Sequence, residues 1–309
     1  MAALNDAGLV RKALDALALK PNGRAAASST VARKRAVFSG GLRYAVELRH
    51  LDAHPFSFVN WTAPKADEHV DRRVVVNPAQ ARLLIDAVAN KTPELAAFFG
   101  FLYYAALRPE EALHLTDDDY ERPKTPGAWG WLHLSGATLT VGNDWTDHGT
   151  SVDRRGLKHR NSKATRDVPV TPELASLLDQ HISTFAPGPG GRLFVTRRGP
   201  YGVFVPTLGQ PVPNNSYTTA WRNARATALT PTQARSPLGR RPNDLRHAAV
   251  SLWLNAGVSA PQVAAWTGHS VNVLVRVYAK CLDGQDDAAR RRIAAALSAP
   301  ADPDESPDA

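Results

Sequence analysis

Cysteine is almost missing from this chain: Cys281 stands alone among 309 residues, which excludes an intramolecular disulfide. The ten histidines occur without a C-x-x-C or H-E-x-x-H pattern, so no recognisable zinc site is present and the expected chemistry is metal-free, with no cofactor. No apolar run reaches the roughly 18 residues that a membrane helix needs. The opening M-A-A-L-N-D-A-G-L lacks the basic and apolar regions of a signal peptide, so the expectation is a cytoplasmic protein with no membrane partner.

Negative charge is in short supply. The chain carries 37 Lys and Arg against 29 Asp and Glu, a net +8. Four of those acids and no base lie in the final P-A-D-P-D-E-S-P-D-A, which leaves +12 on residues 1–299. Such an excess points to a polyanionic partner, with solubility charge as the plain alternative.

Hydrophobic periodicity divides the chain. Residues 1–62 hold two helices: Asp6–Leu19, with Leu9, Val10, Ala13, Leu14 and Leu17 inward, and a second starting after Ser29 or Thr30, with Val31, Val37, Leu42, Ala45 and Leu48 inward. Arg33, Lys34, Arg35 and Arg43 spread over the outer surface of that second helix, making a small basic module suited to a polyanion. The polar, aperiodic stretch 63–73 reads as a linker. From Val74 to Ser298 the pattern is a larger domain, opened by a helix that Asn77 caps with Pro78 in its first position. The segment E-L-A-A-F-F-G-F-L-Y-Y-A-A-L is apolar all round and predicts a central buried helix. Residues 129–141, 151–160 and 165–172 predict three short antiparallel strands. Helices then return apart from a Gly- and Pro-rich loop at 186–213, and 299–309 is an acidic, disordered tail. The fold class is mainly α with a small antiparallel β-sheet, α+β.

Two arginines sit where helices begin. In A-L-R-P-E-E-A-L-H-L, Pro109 suits a first helical position and leaves Arg108 extended just outside it, free to bind an anion or to pair with Glu111. In N-D-L-R-H-A-A-V-S-L-W-L, Asn243 is the natural cap, Leu245, Ala249, Leu252 and Trp253 face inward, and Arg246 falls in the first turn, where a cation is disfavoured unless an anion lies nearby. Two such forks would fit the non-bridging oxygens of one phosphate. In V-N-V-L-V-R-V-Y-A-K, Val271, Leu274, Val275 and Tyr278 share a face, which by periodicity alone makes Tyr278 a core residue. His269, after the break at Gly268, reads as a loop histidine.

Taken in order, L-R-P-E-E-A-L-H-L, the basic hairpin G-L-K-H-R-N-S-K-A-T-R-D-V-P-V, D-L-R-H, G-H-S and R-V-Y-A-K resemble the tyrosine recombinases of phages and mobile elements, over roughly residues 75–285. The resemblance implies a catalytic domain, 74–298, behind a shortened helical core-binding module, and a site-specific recombinase for integration or excision of a mobile element. It implies double-stranded DNA as partner, a homotetramer assembled on two sites, a directionality factor as a further partner, and nucleoid association. Arg108 and Arg246 would hold the scissile phosphate, Tyr278 would attack it to leave a 3′-phosphotyrosyl link, and His269 would hydrogen-bond the phosphate. A hairpin lysine would protonate the leaving 5′-oxygen. Lys158, at a strand end, is favoured over the alternative Lys163 in the turn. Asn243 stands where the family most often has a histidine, and an amide can donate a hydrogen bond but cannot exchange a proton. The competing readings are a DNA-binding remnant that has lost turnover and a relaxing enzyme like the type IB topoisomerases. The amphipathic segment after Tyr278 packs either on a neighbouring protomer or back on its own domain.

Overall fold

The computed structural model describes residues 2–64, 69–141, 144, 146, 149, 151–158, 164–197, 208–281 and 285–298. The chain forms two compact units, 1–68 and 69–309.

In the first unit α1 (Ala7–Leu17) starts at Asp6, whose carboxylate accepts from the backbone N–H of Gly8 at 2.7 Å. Helix α2 (Ser28–Glu47) begins two or three residues earlier than expected and has no side-chain cap. Val10 and Leu14 of α1 and Val31, Leu42 and Ala45 of α2 are buried, as the spacing predicts. Leu9, Val37 and Leu48 are exposed instead, Val37 by 72%. Leu42 and Ala45 pack with Leu51, Phe38 and Phe56, a core too small to cover more than one stripe of a 20-residue helix.

The second unit is built around α4 (Ala96–Tyr104), which carries no charge and buries every residue from Ala96 to Tyr103. It packs against α6 (Pro172–Thr184) and α9 (Asp244–Asn255). Phe99 stacks at 4.9 Å on Trp221 of α7 (Asn214–Ala228), which the short α8 (Pro231–Arg235) follows, and Phe98 meets Phe194 and Tyr217. Each such ring, fully withdrawn from water, stabilises the fold by roughly 1.5–3 kcal/mol. Helix α3 (Pro78–Lys91) opens with the expected cap: Asn77 accepts from Gln80 N–H, and Gln80 accepts from Asn77 N–H, each at 2.9 Å. The last residues of the stretch read as a linker join this unit, since Val70 is buried and donates its N–H to the carbonyl of Val277.

The β-structure departs from three strands. The first expected strand bends at Ser135 into β2 (Gly130–Leu134) and β3 (Gly136–Thr140). Strand β2 lies between a two-residue β1 (Tyr120–Glu121) and β5 (Arg166–Val170), antiparallel to both, with Leu132, Leu134, Val168 and Val170 buried. Strand β3 pairs separately with β4 (Val152–Gly156). Gly136 allows the bend, because a Cβ there would fall 2.6 Å from the Arg155 carbonyl and 2.9 Å from the His114 ring. Part of the Gly- and Pro-rich loop is core rather than surface: Leu193 and Phe194 are both buried against α4 and its neighbours.

A second core joins α9, α10 (Ala260–Thr267) and α11 (Val271–Tyr278) through Ala249, Val250, Val263, Leu274 and Tyr278. Only half of the expected α11 stripe is covered, for Val271 and Val275 are exposed; on α9, Leu252 is exposed as well. Residues Gln285–Ser298 form the expected helix α12. Among the described residues no helix is long and apolar enough to cross a membrane, and no group of three or more His, Cys, Asp or Glu could hold a metal. The tail 299–309 lies outside the described residues.

Candidate active site

Helix α4 ends at Tyr104 with Ala105 as its C-cap, and the chain turns sharply through Ala106, whose φ of +51° is left-handed and strained for a residue with a Cβ. Arg108 is then extended (φ −73°, ψ 150°) ahead of the single turn α5 (Pro109–Ala112). One turn is too short for a useful dipole, so what organises Arg108 is a side chain. The Glu111 carboxylate accepts from Arg108 N–H at 2.9 Å and from its Nη1 at 2.7 Å.

Glu111 is also the hub for two more arginines. Arg166, the first residue of β5, donates Nη1 to Oε1 at 3.1 Å and Nη2 to Oε2 at 2.9 Å, a bidentate pair with both side chains buried. Arg246 of α9 lies 3.6 Å from Oε2. Burial alone would raise the Glu111 carboxyl, but Arg166, Arg246 and Arg108 overrule it and hold it down at about 2. Three guanidiniums around one carboxylate leave two positive charges uncompensated within the cluster, one of them on Arg108, whose side chain is 25% exposed. That is a receptacle for an anion.

Arg246 answers the question its position raises. Its Nη1 donates to the Ala106 carbonyl, which the left-handed turn presents, and its Nη2 donates to the Thr267 carbonyl at 2.6 Å and to His269 Nε2 at 3.2 Å. Burial first, then Arg108, lower its pKa to about 9, which still leaves it charged at neutral pH. Because an arginine only donates, His269 Nε2 accepts, so its Nδ1 carries the hydrogen and donates to Thr267 Oγ1 at 3.1 Å; that hydroxyl in turn donates to the Val263 carbonyl at 2.7 Å. Burial and the neighbouring Arg246 push His269 down to about 3. Gly268 ends α10 with φ +68°, and a Cβ on it would lie 2.3 Å from Arg166 Nη1.

Tyr278, at the end of α11, is 1% exposed, and its hydroxyl lies 2.9 Å from His247 Nδ1. Burial raises this phenol to about 12, against the opposing pull of Arg246 and Arg108. The other ring nitrogen of His247 lies 3.3 Å from the Asn243 amide. A positively charged cluster thus lies near a phenol that a histidine already holds.

Solved structures with the same architecture exist. The Tn1549 transposon integrase in complex with transposon right end DNA matches with a TM-score of 0.65 at 15% identity, over 95% of this chain and 86% of that one. The XerH site-specific recombinase bound to difH substrate matches with a TM-score of 0.57 at 14% identity, over 96% and 71%. Lambda integrase bound to DNA gives 0.53 at 11% identity, over 87% and 78%. The fold is that of the tyrosine recombinases. No family model and no curated protein matches the sequence.

Within this tyrosine-recombinase fold, Arg108, Asn243, Arg246, His269 and Tyr278 converge on one site. Asn243 is not the cap expected of it: its backbone is helical (φ −64°, ψ −16°), its side chain makes no capping bond, and its amide turns to His247. Lys158 is exposed, two residues past the end of β4, and makes no hydrogen bond or ion pair with the cluster among the described residues. Lys163 lies outside the described residues.

On α2, Arg33 and Arg43 are exposed. Lys34 donates to the Leu17 and Leu19 carbonyls, and Arg35 lies 5.2 Å over the Phe56 ring, so both serve the module's own packing.

Sequence reasoning missed Arg166, His247 and Thr267, and gave Glu111 only as a rival partner of Arg108. Arg166 carried one signal, a charge at an inward position of a strand whose other inward residues are Val168 and Val170. His247 carried none beyond adjacency to Arg246.

Proposed function

We propose that this chain is a site-specific DNA recombinase that breaks and rejoins double-stranded DNA by transesterification at Tyr278. The observation that carries the reading is the Glu111 cluster: three arginines with two surplus charges beside a histidine-bound phenol, on a tyrosine-recombinase fold. Arg108 and Arg246 hold the non-bridging oxygens of the scissile phosphate and stabilise the charge of the pentavalent transition state. The Tyr278 oxygen bonds to phosphorus as the bond to the 5′-oxygen breaks, and that oxygen takes a proton from Lys158, with Lys163 as the alternative donor. The product is a 3′-phosphotyrosyl link. Energy is conserved in the new ester, so a 5′-hydroxyl from a partner strand reverses the step and exchanges strands. The net +8 charge supports a DNA partner, as does the DNA in the Tn1549, XerH and lambda structures. Exchange between two sites calls for a tetramer; a mobile element is the natural setting.

The test starts with a duplex that the protein itself selects from a random-sequence pool, nicked so that the cleaved strand end diffuses away. A covalent protein–DNA adduct on a denaturing gel is expected from the native chain and not from Tyr278→Phe, with binding kept in both. Absence of an adduct from the native chain would favour a binding remnant. Relaxation of plasmids lacking the selected sequence would favour a topoisomerase.

A further inference from the structure

The phenol of Tyr278 must lose a proton as its oxygen bonds to phosphorus, and the position where the family most often has a histidine holds Asn243, which cannot take one. We propose that His247 is the general base for Tyr278, with Asn243 as the positioning residue behind it. This rests on the reading of Tyr278 as the nucleophile.

Three observations lead there. First, His247 Nδ1 is 2.9 Å from the Tyr278 oxygen, within direct proton-transfer reach. Second, the other nearby bases are committed elsewhere. Glu111 is shared among three arginines, and His269 has Nε2 on Arg246 and Nδ1 on Thr267. Third, Asn243 stands at the N-cap of α9 yet leaves the capping role unfilled and points its amide at His247 Nε2, one helical turn on. A residue that forgoes its usual bond for a ring nitrogen, itself bonded to the nucleophile, forms a base–orienter pair.

The groups around His247 suit the role. It faces Arg246 and Arg241 as charges, and Tyr278, Asn243 and His269 as neutral partners. Burial, then Arg246 and Arg241, lower it to about 4, so it is neutral and able to accept at pH 7. A bound phosphate adds negative charge beside Arg246 and favours the imidazolium once formed. In the forward step the phenolic proton passes to Nδ1 while the Tyr278 O–P bond forms and the P–O5′ bond breaks. A neutral His247 whose Nδ1 accepts carries its ring hydrogen on Nε2, so Nε2–H donates to the amide oxygen of Asn243 before the transfer and, more strongly, from the imidazolium after it. The two ends of an amide interchange by a half-turn, which brings the Asn243 oxygen to Nε2. In the reverse step the proton returns to the tyrosyl oxygen, and no net proton is consumed.

The experiment uses the full chain and the self-selected, nicked duplex. His247→Gln should lower single-turnover cleavage by about 10²–10⁴-fold, with DNA affinity within twofold of native. A fluorinated tyrosine at 278, whose phenol is more acidic, should restore at least tenfold in His247→Gln and little in the native background. Replacing the leaving 5′-oxygen by sulfur removes the need to protonate the leaving group and should not restore His247→Gln. If sulfur rescues it, His247 serves the leaving group instead, and the proposal fails. Cleavage by His247→Gln within threefold of native, with Tyr278→Phe inactive, overturns this proposal alone. No adduct from the native chain overturns the recombinase reading and this proposal together. Should His247→Gln not fold, Asn243→Asp answers instead. A carboxylate on Nε2 raises the base's pKa, so the acidic limb of the pH–rate profile should move up by at least one unit. An unmoved limb refutes the role.

Discussion

Glu111 and Arg166, 55 residues apart, face each other through two hydrogen bonds of 3.1 and 2.9 Å, both side chains 3% exposed. That pair ties the turn after α4 to the start of β5, and Arg108 and Arg246 are positioned against the same carboxylate. Removing one partner of such a buried pair leaves charge uncompensated, which typically costs 3–5 kcal/mol. Glu111→Gln should therefore destabilise the chain by about 3–5 kcal/mol in urea denaturation; a loss under about 1 kcal/mol would show that the arginines find other partners.

Acid should weaken the fold in two stages. His247 and His269 are depressed to about 4 and about 3, so from pH 6.5 downward the unfolded chain takes up protons that the folded chain refuses. Each histidine should cost roughly 1–2 kcal/mol by pH 5. Glu111, held at about 2, contributes stability that is full above its ordinary 4.5 and lost as pH falls toward 2. Urea midpoints measured from pH 7 to 3 should decline from about 6.5, and a flat profile down to pH 5 would contradict the neutral, buried state of the two rings.

Gly268→Ala combines a left-handed φ of +68° with a Cβ 2.3 Å from Arg166. The backbone strain alone is worth about 1–3 kcal/mol. Displacement of Arg166 should add a fall in DNA cleavage, because Arg166 buttresses Glu111. Native cleavage in Gly268→Ala would separate this buttress from the chemistry.

Arg246→Lys keeps the charge but cannot reach the Ala106 carbonyl, the Thr267 carbonyl and His269 together from one ammonium. Cleavage should drop at least 100-fold while DNA binding changes far less, since Arg108 and the surface charges remain. A variant that cleaves within threefold of native would remove Arg246 from the transition state.

The lysine that the proposed mechanism gives to the leaving group can be identified by chemistry. A 5′-sulfur leaves without a proton, so it should rescue the variant that has lost the acid. Lys158→Ala is expected to lose cleavage on the oxygen substrate and recover it on sulfur, with Lys163→Ala near native on both. The reverse pattern would assign the role to Lys163.

Much of the architecture was legible because it depends on local rules. The cap at Asn77, the wholly apolar α4 and the break at Gly268 each follow from a few neighbouring residues. The motifs around Arg108, Arg246, His269 and Tyr278 were legible as a set because each is a short run of neighbouring residues and they follow one another in order along the chain. Strand pairing was less so: periodicity marks an inward face but does not say that a strand will bend at Ser135 and divide between β5 and β4.

By itself, then, the sequence determined the helices, the buried apolar helix at the centre, the absence of disulfides and the identity of five converging side chains. Tertiary structure decided what those side chains do to one another. Arg108 reads as an anion ligand or as a partner of Glu111, and only the arrival of Arg166 and Arg246 at the same carboxylate makes the cluster positive. Asn243 reads as a cap, and only the approach of α11, which brings Tyr278 to His247, gives its amide another task. The physical reason is the same in both cases: charge balance and proton affinity are set by groups far apart in the chain, and they exist only once burial has brought those groups within a few ångströms.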